Sequence, residues 1–286
     1  MNTGNLEVII PAYNEAENIE KVIKDVRAHL GTAVRISVID DASEDSTVEL
    51  AVKLGAEVLR HPYRIGNGAC IKTGLRNAKA DIVVLMDADG QHKGKDIPAL
   101  LAQIDKYDMV IGARRFSAVS LRNLANIFYN LFASYVTQFK IQDLTSGFRV
   151  IKRKYAAKFI YLLPNGFSYP TTITLAFLKS GRTIRYVPIT ASARSFGKSK
   201  IGILKDGTGF LFIIIRIATF FSPMRVFLPV SIFFFASGLA YYIHTYLFFH
   251  RFTNMSVLLF TTALIIFMLG LISEQISQLR MDRTEE

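Results

Sequence analysis

Two long apolar segments near the C-terminus constrain the fold of this chain more than any other feature. Residues 226–249 and 255–273 contain no Lys, Arg, Asp or Glu, and each is close to or above the roughly 20 residues that a helix needs to cross a bilayer core. Two buried helices of a soluble protein are the alternative, but most of the remaining chain is needed for the sheet domain described below. We therefore predict a transmembrane hairpin in an integral membrane protein.

The basic residues around the hairpin predict its orientation. Only Arg251, beside His250, lies between the two spans. The other basic residues nearby flank the hairpin, at Lys198, Lys200, Lys205, Arg216, Arg225, Arg280 and Arg283. Because Lys and Arg are enriched in cytoplasmic loops, we expect both termini in the cytoplasm, and the membrane to be the inner or plasma membrane in a prokaryote. The N-terminus lacks a signal-peptide pattern, and the single cysteine, Cys70, fits a reducing compartment.

Three apolar segments earlier in the chain each run into polar residues. Residues 6–10, 36–39 and 83–86 have the composition of buried strands. Helical patterns lie between and after them, at 16–30, 46–54, 69–79 and 96–104. This alternation predicts a mostly parallel sheet covered on both faces. In such sheets ligands bind at the carboxyl ends of the strands.

The polar residues after the third strand carry the clearest chemistry. Asp87 and Asp89 are one residue apart and are followed by Gly90 and Gln91. Carboxylates in this arrangement can hold Mg²⁺ or Mn²⁺ against a diphosphate, because hard cations prefer oxygen ligands. A plain strand-to-loop turn, in which Asp and Gly are common, is the alternative.

Six short motifs follow one another along the first 200 residues. They are 10–15 (IPAYNE), 40–43 (DDAS), 87–92 (DADGQH), 112–114 (GAR), 143–149 (DLTSGFR) and 194–200 (RSFGKSK). Together they resemble the family 2 glycosyltransferases of GT-A fold, and the last two resemble the polyprenyl-phosphate branch, which includes dolichol-phosphate mannose synthase. No G-x-G-x-x-G sequence is present, so a dinucleotide-binding domain is not supported.

The resemblance implies an α/β fold in which a Rossmann-like, mostly parallel GT-A domain occupies residues 1–200. An interfacial juxtamembrane helix is expected within 201–223, where an apolar run too short to span is interrupted by Arg216. The hairpin and a short cytoplasmic tail take 224–286. A further apolar stripe at 121–139 either contacts the membrane or packs on the sheet, and the sequence leaves both open.

A nucleotide-sugar donor and a divalent cation, Mg²⁺ or Mn²⁺, are also implied by the resemblance. The predicted metal ligands are Asp87, Asp89 and Gln91, with Asp89 the first choice. Tyr13 is expected near the nucleobase, and Glu15 equally suits the start of a helix. The residues expected to bind the nucleotide-sugar are Pro11, Tyr13, Glu15, Val38, Asp40, Asp41, Asp87, Ala88, Asp89 and Gln91.

The acceptor implied by the resemblance is a polyprenyl or dolichyl monophosphate. Such a phosphate is mostly a dianion at neutral pH, so it needs positioning and desolvation more than a general base. Arg114, Arg122, Arg194 and Lys200 are expected to bind it, and Asp143 to orient the acceptor end or hold one of these cations. The predicted catalytic residues are Asp89, Arg114, Asp143, Arg194 and Lys200. The expected reaction is one inverting displacement at the anomeric carbon.

The sequence departs from the family in two segments near the expected sugar. Many relatives carry a Glu in the helix after the Ser-Gly-Phe motif and another before Val-Pro, whereas this chain has FSYPTTIT at 167–174 and Tyr186 before Val-Pro. Thr171, Thr172 and Thr174 can bind sugar hydroxyls or simply open a helix after a proline. The identity of the sugar is therefore left open.

The net charge of +11 does not indicate nucleic-acid binding, because no RNA-binding motif, zinc spacing or basic helix accompanies it. Lipid headgroups and a nucleotide diphosphate account for the excess. The expected partners are a nucleotide-sugar, a polyprenyl phosphate and membrane lipids, with a second copy of the chain as a further candidate. A processive polysaccharide synthase is disfavoured by the lack of Trp and the two spans. A non-catalytic nucleotide-sugar-binding subunit stays open, although Asp89 and the basic residues are present.

Overall fold

The computed structural model describes residues 5–114, 121–166, 169–189, 215 and 218–285. These residues divide into two compact units. One unit holds the described residues up to Ser134 and from 139 to 189, and the other holds 135–138 and the described residues from 215 onward. The predicted domain boundary at residue 200 and most of the predicted interfacial region 201–223 lie outside the described residues.

A seven-stranded sheet forms the centre of the first unit. Its strands are β1 (Leu6–Ala12), β2 (Arg35–Asp40), β3 (Glu57–Arg60), β4 (Ile82–Leu85), β5 (Met109–Arg114), β6 (Arg149–Lys152) and β7 (Ile184–Ile189). Their order is β3-β2-β1-β4-β6-β5-β7, and only β6 is antiparallel to its neighbours among these paired strands. The mostly parallel sheet is thus confirmed, with one antiparallel strand that the sequence did not indicate.

Helices connect the strands of this unit, four of them at predicted places. They are α1 (Ala16–Leu30), α2 (Thr47–Lys53), α3 (Asn67–Asn77), α4 (Ile97–Leu101), α5 (Leu121–Thr137), α6 (Arg153–Lys158) and α7 (Tyr169–Lys179). The predicted helix at 16–30 coincides with α1, and the other three predicted helices begin and end within three residues of α2, α3 and α4. Hydrophobic periodicity was sufficient for these assignments because each helix buries one face.

The two faces of the sheet bury alternate residues of β1, as the pleat requires. Val8 and Ile10 belong to the core cluster that includes Ile19 of α1. Ile9 points the other way, toward α3, where a Cβ built on Gly74 would lie 2.5 Å from its side chain. Helices therefore flank both faces, and the loops that follow the parallel strands gather at the carboxyl edge.

Most described residues of the apolar stripe on α5 are exposed. Ile127, Phe128, Leu131 and Tyr135 are 48, 53, 65 and 46% exposed. The opposite side of the helix is buried, with Ala133 and Val136 each 1% exposed. Four residues of the stripe are thus left exposed, and its contact with a membrane stays a prediction.

The second unit contains two long apolar helices, α8 (Pro223–Phe249) and α9 (Asn254–Glu285). The segments Pro223–Phe249 and Asn254–Leu279 are long and apolar enough to cross a membrane. Only 11% and 17% of their most apolar windows are buried, whereas the core helices of a soluble protein are mostly buried. The pair matches the predicted spans and is typical of a membrane anchor.

Small and polar residues join α8 to α9. The Ser231 hydroxyl donates a hydrogen bond to the Ala263 carbonyl at 2.8 Å. Gly238 allows close approach, since a Cβ there would lie 3.0 Å from Leu259. The Glu274 carboxylate accepts a hydrogen bond from the backbone N–H of Met224 and so caps the first turn of α8. These contacts are the kind that hold helices together in lipid, where apolar contact alone gives no preference for protein.

Candidate active site

The loops after β1 and β2 are hydrogen-bonded into one surface. The backbone N–H groups of Asn14 and Glu15 donate to the hydroxyls of Ser43 and Thr47, each at 2.9 Å. The Asn14 side chain in turn accepts a hydrogen bond from the N–H of Glu44 at 2.9 Å. Two of the motifs that were predicted to bind the nucleotide-sugar therefore form a single ledge at the carboxyl edge.

Asp40 is fully buried in this ledge and has an unused acceptor. Its Oδ2 accepts the N–H of Ser43 at 3.1 Å and pairs with Arg60 at 3.2 Å. Its Oδ1 has no hydrogen-bond partner within the part of the chain that the structure describes. A buried carboxylate oxygen without a donor is unfavourable unless a ligand supplies one. Asp40 is thus suited to accept an N–H or O–H group of a nucleoside.

Pro11, Val38 and Ala88 are buried and have no exposed side-chain surface to offer. Val38 belongs to the hydrophobic core cluster, and Ala88 is 2% exposed. Any contact they make with a nucleotide must therefore come from the main chain. Tyr13 is half-buried, with the guanidinium of Arg64 at 4.2 Å from its ring centroid.

Asp41 has both carboxylate oxygens engaged within the protein. Oδ1 accepts the N–H of Ile65 and bonds to His61, each at 2.9 Å, and Oδ2 accepts the N–H of Gly66 at 2.8 Å. Burial alone would raise the pKa of Asp41, but these hydrogen bonds hold it below its usual value. Asp41 fixes the loop that leads into α3, and its predicted contact with the nucleotide-sugar stays a prediction.

We expect Asp41→Asn to destabilise the protein by about 2 kcal/mol and to weaken nucleotide binding, because an amide replaces one acceptor of a buried N–H with a donor. Chemical denaturation and calorimetric nucleotide titration of the purified chain measure the two effects. Asp108→Asn is the matched control, since Asp108 also accepts a backbone N–H, from Thr183, but lies at the start of β5. Equal loss of nucleotide affinity in both variants would contradict the assignment of the loop to the site.

Asp41, His61 and Cys70 form the one group of three possible metal-ligating side chains found among the described residues. Their hydrogen bonds argue against a metal site. His61 uses both ring nitrogens, on Asp41 and on the Thr73 hydroxyl. Burial and the neighbouring carboxylates raise the pKa of the Cys70 thiol, so it stays protonated. The group is a hydrogen-bonded cluster, distinct from the predicted metal ligands at Asp87, Asp89 and Gln91.

The chain makes a tight turn directly after β4. Gly90 has a positive φ of 71°, which favours glycine, and the N–H of Gln91 bonds back to the Asp89 carboxylate at 3.1 Å. Asp87, Asp89 and Gln91 are all half-buried. The Asp87 carboxylate lies against Gly147, where a Cβ would come within 2.6 Å of Oδ2. The structure thus brings one predicted metal ligand, Asp87, beside the Ser-Gly-Phe motif.

His92 was given no role by the sequence, although it ends the same motif. It is 5% exposed and stacks on Phe148, with ring centroids 5.0 Å apart. Burial lowers its pKa to about 4, against the attraction of Asp89, so the ring is neutral at physiological pH. The neutral ring contributes shape and packing to this corner of the site. No local pattern in the sequence signals the stacking, because Phe148 comes from a distant part of the chain.

Arg114 and Asp143 form a bidentate ion pair at the end of β5. Arg114 donates from Nε to Oδ2 at 2.8 Å and from Nη2 to Oδ1 at 3.0 Å. Nη2 also donates to the Thr145 hydroxyl at 2.7 Å. Asp143 is 1% exposed, so loss of Arg114 would leave a buried carboxylate without its cationic partner. The predicted catalytic pair is in direct contact, with Asp143 holding the cation.

Comparison with known proteins decides the family. The sequence profile described as "Glycosyl transferase family 2" matches residues 7–159, and that described as "GtrB C-terminal hairpin" matches residues 222–279. The chain belongs to glycosyl transferase family 2. The first match covers the whole of the hydrogen-bonded ledge and the Asp87–Asp89 turn. The second covers both apolar segments from which the hairpin was predicted.

Two relatives and one solved structure show what this family 2 chain is similar to. Polyprenol monophosphomannose synthase from Mycolicibacterium smegmatis is 30% identical over 68% of this chain and 80% of the relative. Undecaprenyl-phosphate 4-deoxy-4-formamido-L-arabinose transferase from Salmonella dublin is 29% identical over 70% of this chain and 63% of its own length. Glucosyl-3-phosphoglycerate synthase from Mycobacterium tuberculosis, solved with Mn²⁺ and UDP-glucose, aligns with TM-score 0.63 and 21% identity over 75% of this chain and 78% of its own. The GT-A fold is thereby confirmed.

Some residues predicted for the family 2 site are not placed by the structure. Arg194 and Lys200 lie outside the described residues, and Arg122 lies on α5 without a described side chain. Their binding of a lipid phosphate stays a prediction. Thr174, which was considered for sugar binding, donates to the Pro170 carbonyl at 2.7 Å and is fully buried. Its hydroxyl therefore belongs to the first turn of α7.

Proposed function

We propose that this chain transfers a sugar from a nucleotide-sugar to a polyprenyl monophosphate. The observation that carries the proposal is the presence, in one chain, of a family 2 domain and a GtrB-type hairpin. A membrane anchor is needed by an enzyme whose acceptor never leaves the bilayer. Relatives at about 30% identity carry names that include polyprenol monophosphate and undecaprenyl phosphate, which supports this acceptor class.

The donor is proposed to lie on the ledge between β1 and β2. The Oδ1 atom of Asp40, which has no hydrogen-bond partner among the described residues, would accept an N–H or O–H of the nucleoside. The main chain at Pro11, Val38 and Ala88 would line the nucleoside. The carboxylate of Glu15 accepts a hydrogen bond from the side chain of Asn18 at 2.8 Å, and Glu15 is proposed to contact the donor from this position. In this proposal the ledge binds the nucleoside through its shape and hydrogen bonds. The diphosphate of the donor then lies near the turn after β4.

Asp87 and Asp89, with Gln91, are proposed to hold Mg²⁺ or Mn²⁺. Their oxygens suit a hard cation, and Gly147 leaves room for the Asp87 carboxylate where a Cβ would fill the space. A bound cation neutralises the charge that develops on the departing nucleoside diphosphate.

The transfer is proposed to be a single displacement. An oxygen of the lipid phosphate forms a bond to the anomeric carbon, while the bond from that carbon to the nucleoside diphosphate breaks. The configuration at the carbon is inverted, and no general base is required because the phosphate is already ionised. Arg114, held in a fixed orientation by Asp143 and Thr145, is proposed to position the attacking phosphate. Arg122, Arg194 and Lys200 are proposed to complete this basic site.

The proposed function is tested by sugar transfer in detergent. The purified full-length chain is incubated with radiolabelled UDP- or GDP-hexoses and a short polyprenyl phosphate, and the lipid is extracted. We expect label in the lipid phase with the monophosphate and none with the corresponding polyprenol. Nucleotide-sugar binding without any labelled lipid across the donors would instead indicate a binding subunit.

The proposed topology places the hairpin connection outside and the sheet domain in the cytoplasm. In a Cys70→Ser background, we expect a cysteine at Asn254 to react with an impermeant maleimide in intact cells. Asn254 is exposed and is the first residue of α9, directly after the connection. A cysteine at the exposed Glu17 on α1 is the control and should react only after permeabilisation. The reverse pattern would contradict this orientation.

A further inference from the structure

Arg149 is the largest side chain that is completely buried in the described part of the protein. It is the first residue of β6, and burial of its charge is strongly unfavourable without compensation. Its Nη1 donates to the Pro170 carbonyl and the Thr174 hydroxyl, each at 3.2 Å, and its Nη2 donates to the Ser146 carbonyl. Within the described residues, no carboxylate lies within ion-pair distance of it, and its Nε has no partner. Its position therefore calls for a reason other than a salt bridge.

The carbonyl that Arg149 holds belongs to the segment that supports Asp87. Ser146 is fixed a second time, because its hydroxyl donates to the Gly112 carbonyl at 2.6 Å. The next residue is Gly147, where a Cβ would lie 2.6 Å from the Asp87 carboxylate and 3.1 Å from the Tyr169 hydroxyl. The Ser146–Gly147 backbone thus packs against the Asp87 carboxylate and forms a wall beside it.

The second contact of Arg149 ties that wall to α7. Pro170 and Thr174 form the first turn of α7, and Tyr169 at its start contacts the Gly147 carbonyl at 3.4 Å. The two ends of the guanidinium thus join the Ser-Gly-Phe loop to the helix behind it. The Arg149 charge also interacts with the carboxylates of Asp143 and Asp87. Without the guanidinium, the Ser146–Gly147 backbone would lose its support on the side that faces away from Asp87.

We propose that Arg149 is a positioning residue that sets the place of the Asp87 carboxylate through the Ser146–Gly147 backbone. This inference rests on the proposed function, which assigns Asp87 to the divalent cation and the donor diphosphate. Arg149 touches neither. The guanidinium donates hydrogen bonds in two fixed directions at once, toward the Ser146 carbonyl and toward the first turn of α7. A lysine ammonium group cannot supply that geometry.

Calorimetric titration of UDP and GDP in the presence of Mn²⁺ tests the proposal on the full-length chain in detergent. We expect Arg149→Lys to weaken binding of whichever nucleotide the wild type takes by at least tenfold. Arg153→Lys is the matched control, since Arg153 also donates to a carbonyl, that of Ala80 at 2.7 Å, but lies at the start of α6. It should bind as the wild type does. A folded Arg149→Lys variant with unchanged affinity overturns the proposal.

Thr174→Val decides the matter if Arg149→Lys does not fold. It removes one acceptor from Arg149 and leaves the arginine in place, so we expect a loss of about threefold in the same affinity. An unchanged affinity would overturn the proposal. A wild type that binds nucleotide and Mn²⁺ but transfers no sugar overturns the proposed function instead, and the comparison of affinities still tests Arg149.

Discussion

Asp89→Asn is expected to lower the rate of sugar transfer by at least ~10²-fold, which is the scale of losing one strong electrostatic stabiliser. Asparagine keeps the size of the side chain and leaves an oxygen to accept the N–H of Gln91, which Asp89 now bonds at 3.1 Å. The loss would therefore come from the missing negative charge toward a divalent cation. Initial rates over a range of Mn²⁺ concentrations measure it, and excess metal should restore part of the activity.

Asp81→Asn provides the control at the opposite end of the same strand. Asp81 is exposed and immediately precedes β4, whereas Asp89 lies beyond its carboxyl end. The control should keep the activity of the wild type. Full activity of Asp89→Asn, or of the wild type in excess chelator, would be incompatible with the metal assignment.

The ion pair of Arg114 and Asp143 gives the second large effect. We expect Asp143→Asn to cost about 3 kcal/mol in the free energy of unfolding, because Arg114 loses the partner of a largely buried pair. Turnover with the lipid acceptor should fall with it, since the guanidinium is no longer fixed by its bonds at 2.8 and 3.0 Å. Denaturation in detergent and the transfer assay measure the two quantities.

A double-mutant cycle separates orientation from direct chemistry. If Asp143 acts only by holding Arg114, the double variant Arg114→Gln with Asp143→Asn should be no less active than the worse single variant. Additive losses would show that Asp143 has a role apart from Arg114. Thr145→Val serves as a mild control, because it leaves the ion pair in place and removes the 2.7 Å bond from Arg114 Nη2 and the 3.2 Å bond from the Thr145 hydroxyl to Asp143.

The sequence was sufficient to predict the strands and helices that have strong patterns. The ends of β1, β2 and β4 can be recognised because an apolar run gives way abruptly to Asp, Asn or Glu at each. The bounds of α1 are predicted to the residue because its buried positions, from Ile19 to Val26, recur at helical spacing. The hairpin is predicted from length and absence of charge alone.

What the sequence could not supply was contact between distant segments. Arg114 and Asp143 were both selected, but their pairing across 29 residues has no local signal. Asp41 is predicted to contact the nucleotide-sugar because it belongs to a motif. Its hydrogen bonds to Ile65 and Gly66 could not be predicted, because they depend on how the loop before α3 folds back toward β2. The burial of Arg149 could not be predicted at all, because arginine in isolation predicts a solvent-exposed position.

The ledge formed by the loops after β1 and β2 has a thermodynamic consequence. Asn14 and Ala42 hold left-handed conformations, with φ of 53° and 62°, that few residues other than glycine adopt. The hydrogen bonds between the two loops maintain these left-handed conformations in the absence of any nucleotide. Under the proposed function, a nucleoside then meets a surface that loses little conformational entropy on binding. Under that proposal, discrimination among bases becomes a property of the unliganded fold, because a mismatched base meets loops that are already hydrogen-bonded to each other.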